Sequence, residues 1–171
     1  MIDEPDLLLE LGSATLGESG ALRMSNRIRA VWPGAQLAAP AFAVRCTAGD
    51  NLGVHVAVTR APEGSVLVAD MGGVHDFGYW GEVLTTAAES RSLLGLVIDG
   101  CVRDVAALEA HDFPVFSTGI ALPGARKDQP ATLGSATVGD VEVHTGDWIV
   151  ADRDGVVVIP QAQLSLNPII T

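Results

Sequence analysis

Hydrophobic positions in this 171-residue chain follow two alternating periods. Continuous apolar runs predict buried strands at Val66 to Val68 in SVLVADMGG, at LGLVI (Leu94 to Ile98) and at PVFSTG (Pro114 to Gly119). AAPAFAVRCTA (Ala38 to Ala48) predicts one more. Between these runs the spacing becomes helical. DNLGVHVAVTRAPEG has it from Asn51 to Arg60, with Asp50 as N-cap. WGEVLTTAAESRSLLG repeats apolar residues at Val83, Leu84, Ala87, Ala88 and Leu94, one helical face with Glu82 in its first turn. RDVAALEAHD predicts the next helix, and DLLLELGSATLGESG a short N-terminal helix that ends in glycines.

Strand, helix, strand, helix, strand implies right-handed crossovers and a largely parallel sheet with helices on its faces. The last stretch changes character. SATVGDVEVHTGDWIVADRDGVVVIP alternates short β-rich runs with Gly-Asp and Asp-Gly turns, so an antiparallel β-hairpin region is expected there. The predicted fold is α/β: one domain with a mixed β/β/α core.

Composition narrows the partners. The chain is 48% hydrophobic and only 18% charged, which predicts a globular fold with a real core. Ten Lys and Arg against 21 Asp and Glu leave a net charge of −11, which speaks against nucleic acid as a direct partner. The opening MIDEPDLLLELG is acidic, the reverse of a secretory leader, and the longest apolar stretch, AVWPGAQLAAPAFAV (Ala30 to Val44), is broken by Pro and Gly. It falls short of the ~20 residues that span a membrane. Cys46 and Cys101 share no metal or redox spacing, and two reduced thiols in a cytoplasmic protein are expected.

Familiar catalytic motifs are missing. GGVHDFG (Gly72 to Gly78) lacks dinucleotide spacing, and there is no phosphate loop, HExxH or GxSxG. The four histidines share no ligand spacing; only His75, in a loop after a strand, stands out. In an open α/β sheet, ligands bind beyond the carboxyl ends of the strands. Two such ends carry charge, MGGVHDFGYWGE and DGCVRD. If their strands are neighbours, Glu82 comes close to Arg103 and Asp104. Two acids and a guanidinium around helix N-termini suit a hard divalent cation and a small oxo-acid. The same residues also suit a plainer reading. A first-turn carboxylate stabilises its helix by ~0.3–1 kcal/mol, and Arg103 can pair with Glu82 on the surface. Pattern alone leaves both open.

VLVADMGG…WGEVLTTAAESRSLLGLVIDGCVRDVAALEAHDFPVFSTGIALPGARK closely resembles the RraA-like family, which includes the class II 4-hydroxy-4-methyl-2-oxoglutarate/4-carboxy-4-hydroxy-2-oxoadipate aldolases. The likeness continues through TVGDVEVHTGDWIVADRDGVVVIP and covers nearly all of residues 1–171 as a single domain. Those aldolases carry an acid, twenty intervening residues and then Arg-Asp; here Glu82, Arg103 and Asp104 have that spacing. The resemblance implies a swivelling-domain-like fold and a divalent-metal-dependent lyase that forms pyruvate through its metal-stabilised enolate. The reactions implied are retro-aldol cleavage of a 4-hydroxy-2-oxo acid and decarboxylation of oxaloacetate. Asp104 would ligate Mg²⁺ or Mn²⁺ directly, and Glu82 through water. The turn Gly81-Glu82-Val83-Leu84 would bind the substrate carboxylate with its amides. Arg103 would hold the enolate oxyanion, and Lys127 would meet a distal carboxylate. No organic cofactor is implied. A homotrimer or hexamer is.

There are departures from the aldolase pattern. The longer aldolases add an acid from a C-terminal helix of the adjacent subunit, whereas LSLNPIIT here contains none. Length also resembles the RraA proteins that bind ribonuclease E, so a non-catalytic regulator of that nuclease is the alternative. Those regulators generally lack the full acid and Arg-Asp set that this chain retains.

Overall fold

The computed structural model describes residues 4–164. Residues 165–171, on which the expectation of a missing C-terminal acid bears, lie outside them. Helix α1 (Glu4–Glu18) leads to the short strands β1 (Leu22–Arg23) and β2 (Arg29–Ala30). The long strand β3 (Leu37–Arg45) precedes α2 (Leu52–Arg60), β4 (Val66–Asp70) and α3 (Glu82–Ser90). Next come β5 (Gly95–Asp99), β6 (Cys101–Val102), α4 (Val105–Ala110), β7 (Val115–Ser117) and β8 (Gly119–Ile120). The chain closes with β9 (Thr132–Leu133), β10 (Ser135–Val138), β11 (Val141–His144), β12 (Trp148–Ala151), β13 (Val156–Ile159) and α5 (Gln161–Leu164).

The centre of the molecule is a nine-stranded mixed sheet in the order β1-β13-β12-β3-β4-β5-β7-β2, with β9 added alongside β3. Its middle, β3-β4-β5-β7, is parallel as the crossover pattern requires. Both flanks are antiparallel. The C-terminal strands therefore divide. β10 and β11 form a separate hairpin, whereas β12 and β13 extend the main sheet through the pairing of β12 with β3. β5 and all but the last residue of β4 are buried, which explains why each reads as a continuous apolar run.

Helix α1 covers the β12–β13 side, where Leu8 and Leu16 pack with Val150, Val157 and Ile159. Gly12, at φ 78° and ψ 161°, breaks α1 into two parts. The second part is anchored by the Asp152 carboxylate, which accepts the Ser13 N–H at 2.8 Å and the Ser13 hydroxyl.

Helix α3 is shorter than its apolar pattern predicts. It ends at Ser90, and Ser92 at φ 57° turns the chain, so Leu93 enters the core while Leu94 stays 47% exposed. Val83, expected on the buried face, is 82% exposed at the other end of the helix.

Helix α2 begins one residue later than predicted, with Asn51 at the N-cap. Asp50 still serves it, since its Oδ1 accepts the Leu52 N–H at 2.9 Å. Its Oδ2 reaches across to the N–H groups of Asp128 and Gln129, at 2.8 and 3.0 Å. Burial pushes the Asp50 carboxyl up, and these N–H donors outweigh it and hold it below the ordinary carboxylate value. Asp50 thus pins the loop that carries Lys127 onto α2. Asp50→Ala leaves three N–H groups without their acceptor and should destabilise the fold by about 1–3 kcal/mol. Urea unfolding would show it as a lower midpoint at unchanged slope; an unchanged midpoint would contradict this role.

Candidate active site

The carboxyl ends of β4 and β5 lie side by side, and the segments that follow them are stitched together through the backbone. Tyr79 N–H donates to the Cys101 carbonyl at 3.0 Å, and Arg103 N–H to the Trp80 carbonyl at 2.9 Å. Trp80 is buried, stacks on Phe113 at 6.0 Å and donates its indole N–H to Thr85. This stitching sets Gly81-Glu82 against Arg103-Asp104.

Asp104 occupies the N-cap position of α4 in the left-handed region, at φ 60° and ψ 40°, yet does not cap that helix with its side chain. Its Oδ2 instead accepts the Glu82 N–H of α3 at 2.9 Å. Residue 81 must be glycine for this approach, because a Cβ there would collide with that same carboxylate oxygen. The remaining first-turn N–H groups of α3, those of Val83 and Leu84, have no intrahelical partner and stay available to an anion.

A cavity of about 180 Å³ opens at this junction. Of the sequence-predicted residues, Gly81, Val83, Leu84, Arg103, Asp104 and Lys127 all line it. Exposed Val83 is therefore a wall of the cavity mouth, not part of the core. Arg103 donates from Nη1 to the Leu122 carbonyl at 3.1 Å and makes no ion pair among the described residues, so its surface pairing with Glu82 does not occur. Glu82 contributes its backbone to the junction, but its side chain goes elsewhere. Oε1 meets His111 Nε2 at 3.3 Å, and Nδ1 of the same ring meets Glu89 Oε2 at 2.9 Å.

The lining residues that sequence reasoning did not single out include Asn51 and His55, from the start of α2, and Tyr79. Asn51 and His55 stand four residues apart, one helical turn, and that spacing was the only signal available. Tyr79 donates its hydroxyl to the Val74 carbonyl at 2.7 Å, and burial pushes its pKa up to about 12. Burial followed by the Lys127 charge pushes the His55 imidazole down, so it is neutral near pH 7. His75 lies outside this cavity. It bonds Thr118 at 3.1 Å and approaches Asp99, itself held by Arg27. Cys46 and Cys101 are both free thiols, and burial raises the Cys46 pKa to about 12. Among the described residues no helix is long and apolar enough to cross a membrane.

Comparisons with known proteins agree with this fold. A family model described as RraA-like, Aldolase/RraA, matches residues 10–158. The chain belongs to the RraA-like family. It is 32% identical over 145 residues to the "Putative 4-hydroxy-4-methyl-2-oxoglutarate aldolase" of Halalkalibacterium halodurans, covering 84% of this chain and 69% of that one. It also superposes on a Geobacillus kaustophilus structure described as an S-adenosylmethionine:2-dimethylmenaquinone methyltransferase, with TM-score 0.79, 27% identity and coverage of 92% and 96%. The Thermus RNA-processing inhibitor RraA superposes with TM-score 0.78, covering 87% and 92%, at 22% identity, a likeness of fold alone.

The His111 bridge gives a testable sign. Glu89 first and Glu82 second raise the His111 pKa above the ordinary value, so its tie between α3 and α4 is complete below about pH 6.5 while both carboxylates stay ionised. The tie is lost as pH rises through that raised value. An NMR titration should find His111 above about 6.5, with Glu89→Gln lowering it more than Glu82→Gln. A value at or below the ordinary one would contradict the bridge.

Proposed function

We propose that this protein is a divalent-metal-dependent lyase that releases pyruvate, by retro-aldol cleavage of a 4-hydroxy-2-oxo acid and by decarboxylation of oxaloacetate. The observation that carries the reading is the convergence of Arg103, Asp104 and the α3 N-terminus on one cavity, with Lys127 at its edge. Relatives named as aldolases support it.

The donor set fits a hard cation. Oδ2 of Asp104 is engaged by the Glu82 N–H, while Oδ1 forms no hydrogen bond among the described residues. No group of three or more His, Cys, Asp or Glu converges among those residues, which suits Mg²⁺ or Mn²⁺ keeping most of its waters better than a closed zinc site. Asp104 would hold the cation directly, and Glu82 would have to turn from His111 to meet it through water. Such a cation, when bound, polarises the 2-oxo carbonyl as a Lewis acid.

The other work belongs to the chain. The N–H groups of Val83 and Leu84 bind the carboxylate next to the 2-oxo group. Arg103 donates to the 2-oxo oxygen and gains strength as that oxygen becomes the enolate oxyanion. Lys127 meets the distal carboxylate. One enolate serves both reactions, so a single constellation suffices. The family resemblance implies a trimer or hexamer. The ribonuclease-regulator reading is not better supported, since the likeness to RraA structures is one of fold alone.

The test is pyruvate release from 4-hydroxy-4-methyl-2-oxoglutarate and oxaloacetate, with Mg²⁺ or Mn²⁺ and then with chelator. Activity should be metal-dependent, and Asp104→Ala and Arg103→Ala should each reduce it about 100-fold or more without unfolding the chain. Folded protein that releases no pyruvate from either substrate would overturn the reading.

A further inference from the structure

Two buried side-chain polar atoms among the described residues have no hydrogen-bond partner: Asn51 Oδ1 and His55 Nε2. Both residues line the same cavity, one helical turn apart on α2. Buried polar atoms are ordinarily satisfied, so two adjacent exceptions at a cavity point to a missing ligand group.

Asn51 is held firmly. Its Nδ2 donates to the Tyr79 carbonyl at 2.9 Å and its backbone N–H to the Arg126 carbonyl at 2.9 Å. A carbonyl only accepts, so Nδ2 is the bonded atom and the free atom is Oδ1, which can only accept. His55, kept neutral by burial and by Lys127, also presents a nitrogen able to accept. A carboxylate brings no proton to such a pair, and the cavity has cationic and N–H groups for carboxylates elsewhere. A hydroxyl does bring one.

We propose that Asn51 and His55 recognise the 4-hydroxyl of the substrate, and that His55 Nε2 takes its proton when the carbon–carbon bond breaks. This rests on the lyase reading above. An amide oxygen is too weak a base for the task, and a neutral imidazole is suited to it. The O–H electron pair becomes the new C=O of the departing fragment. The C3–C4 pair passes into the enolate, whose oxygen lies against Arg103. C3 then takes a proton back, so none is gained or lost overall. Oxaloacetate decarboxylation forms the same enolate but has no hydroxyl proton to remove. His55 is thus specific to one of the two reactions.

The experiment compares both reactions on the same preparations of the wild-type chain, His55→Gln and His55→Ala. His55→Gln should lose about 100-fold or more in cleavage of 4-hydroxy-4-methyl-2-oxoglutarate, and its loss in oxaloacetate decarboxylation and in competitive inhibition by oxalate should be far smaller. Added imidazole should partly restore cleavage to His55→Ala. Equal losses on both substrates, or undiminished cleavage, would overturn the assignment. A wild-type chain active on oxaloacetate but on no 4-hydroxy-2-oxo acid would overturn it while leaving the lyase reading intact. A wild-type chain inactive on both would overturn the two together.

Discussion

The bond from the Glu82 N–H to the Asp104 carboxylate governs this structure's site. An aspartate at a helix N-cap ordinarily satisfies its own helix. Asp104 satisfies the neighbouring one, from a left-handed backbone conformation that carries its carboxylate across to α3. Gly81 leaves room for the carboxylate, and the backbone bonds from Tyr79 and Arg103 fix the two segments in register. The same contact that joins α3 to α4 therefore also orients one carboxylate oxygen and leaves the other without a hydrogen bond among the described residues.

From that junction follows a division of labour around the cavity. One wall offers a guanidinium, helix N–H groups and a carboxylate; another, built by the start of α2, offers two polar atoms without a hydrogen-bond partner. Asp50 links them, because it holds both the first turn of α2 and the loop bearing Lys127. The walls differ in what they ask of a ligand. The first suits negative charge, and the second is where we propose that a substrate hydroxyl binds.

Much of this was legible in the sequence. Strand β5 and all but the last residue of β4 are buried and read as continuous apolar runs, and only α3, β5 and the two-residue β6 lie between Glu82 and Arg103-Asp104. Local pattern placed the acid and the Arg-Asp pair beyond two strand ends, and the parallel pairing of β4 with β5 in the structure makes those ends adjoin. Pattern could not show which way the side chains turn. Glu82 meets His111 across 29 residues of sequence, and Asp104 turns away from the helix it opens. Nor could it place β12 and β13 in the main sheet, which depends on pairing between residues more than a hundred positions apart, such as Ile149 with Ala39. Asn51 and His55 were unreadable for a related reason. They carry no motif of their own, and they matter only because β3 and β4 pair and bring α2 to the same end of the sheet as α3.

The central claim is that Asp104, freed on one oxygen and anchored on the other, makes this corner a cation site. Titrating the protein with Mn²⁺ while following water-proton relaxation tests it most directly, because it needs no substrate. One Mn²⁺ per chain should bind with exchangeable waters still attached, binding should vanish in Asp104→Ala, and it should persist in weakened form in Glu82→Gln. Failure of the wild-type chain to bind Mn²⁺, or binding undiminished in Asp104→Ala, would contradict the account.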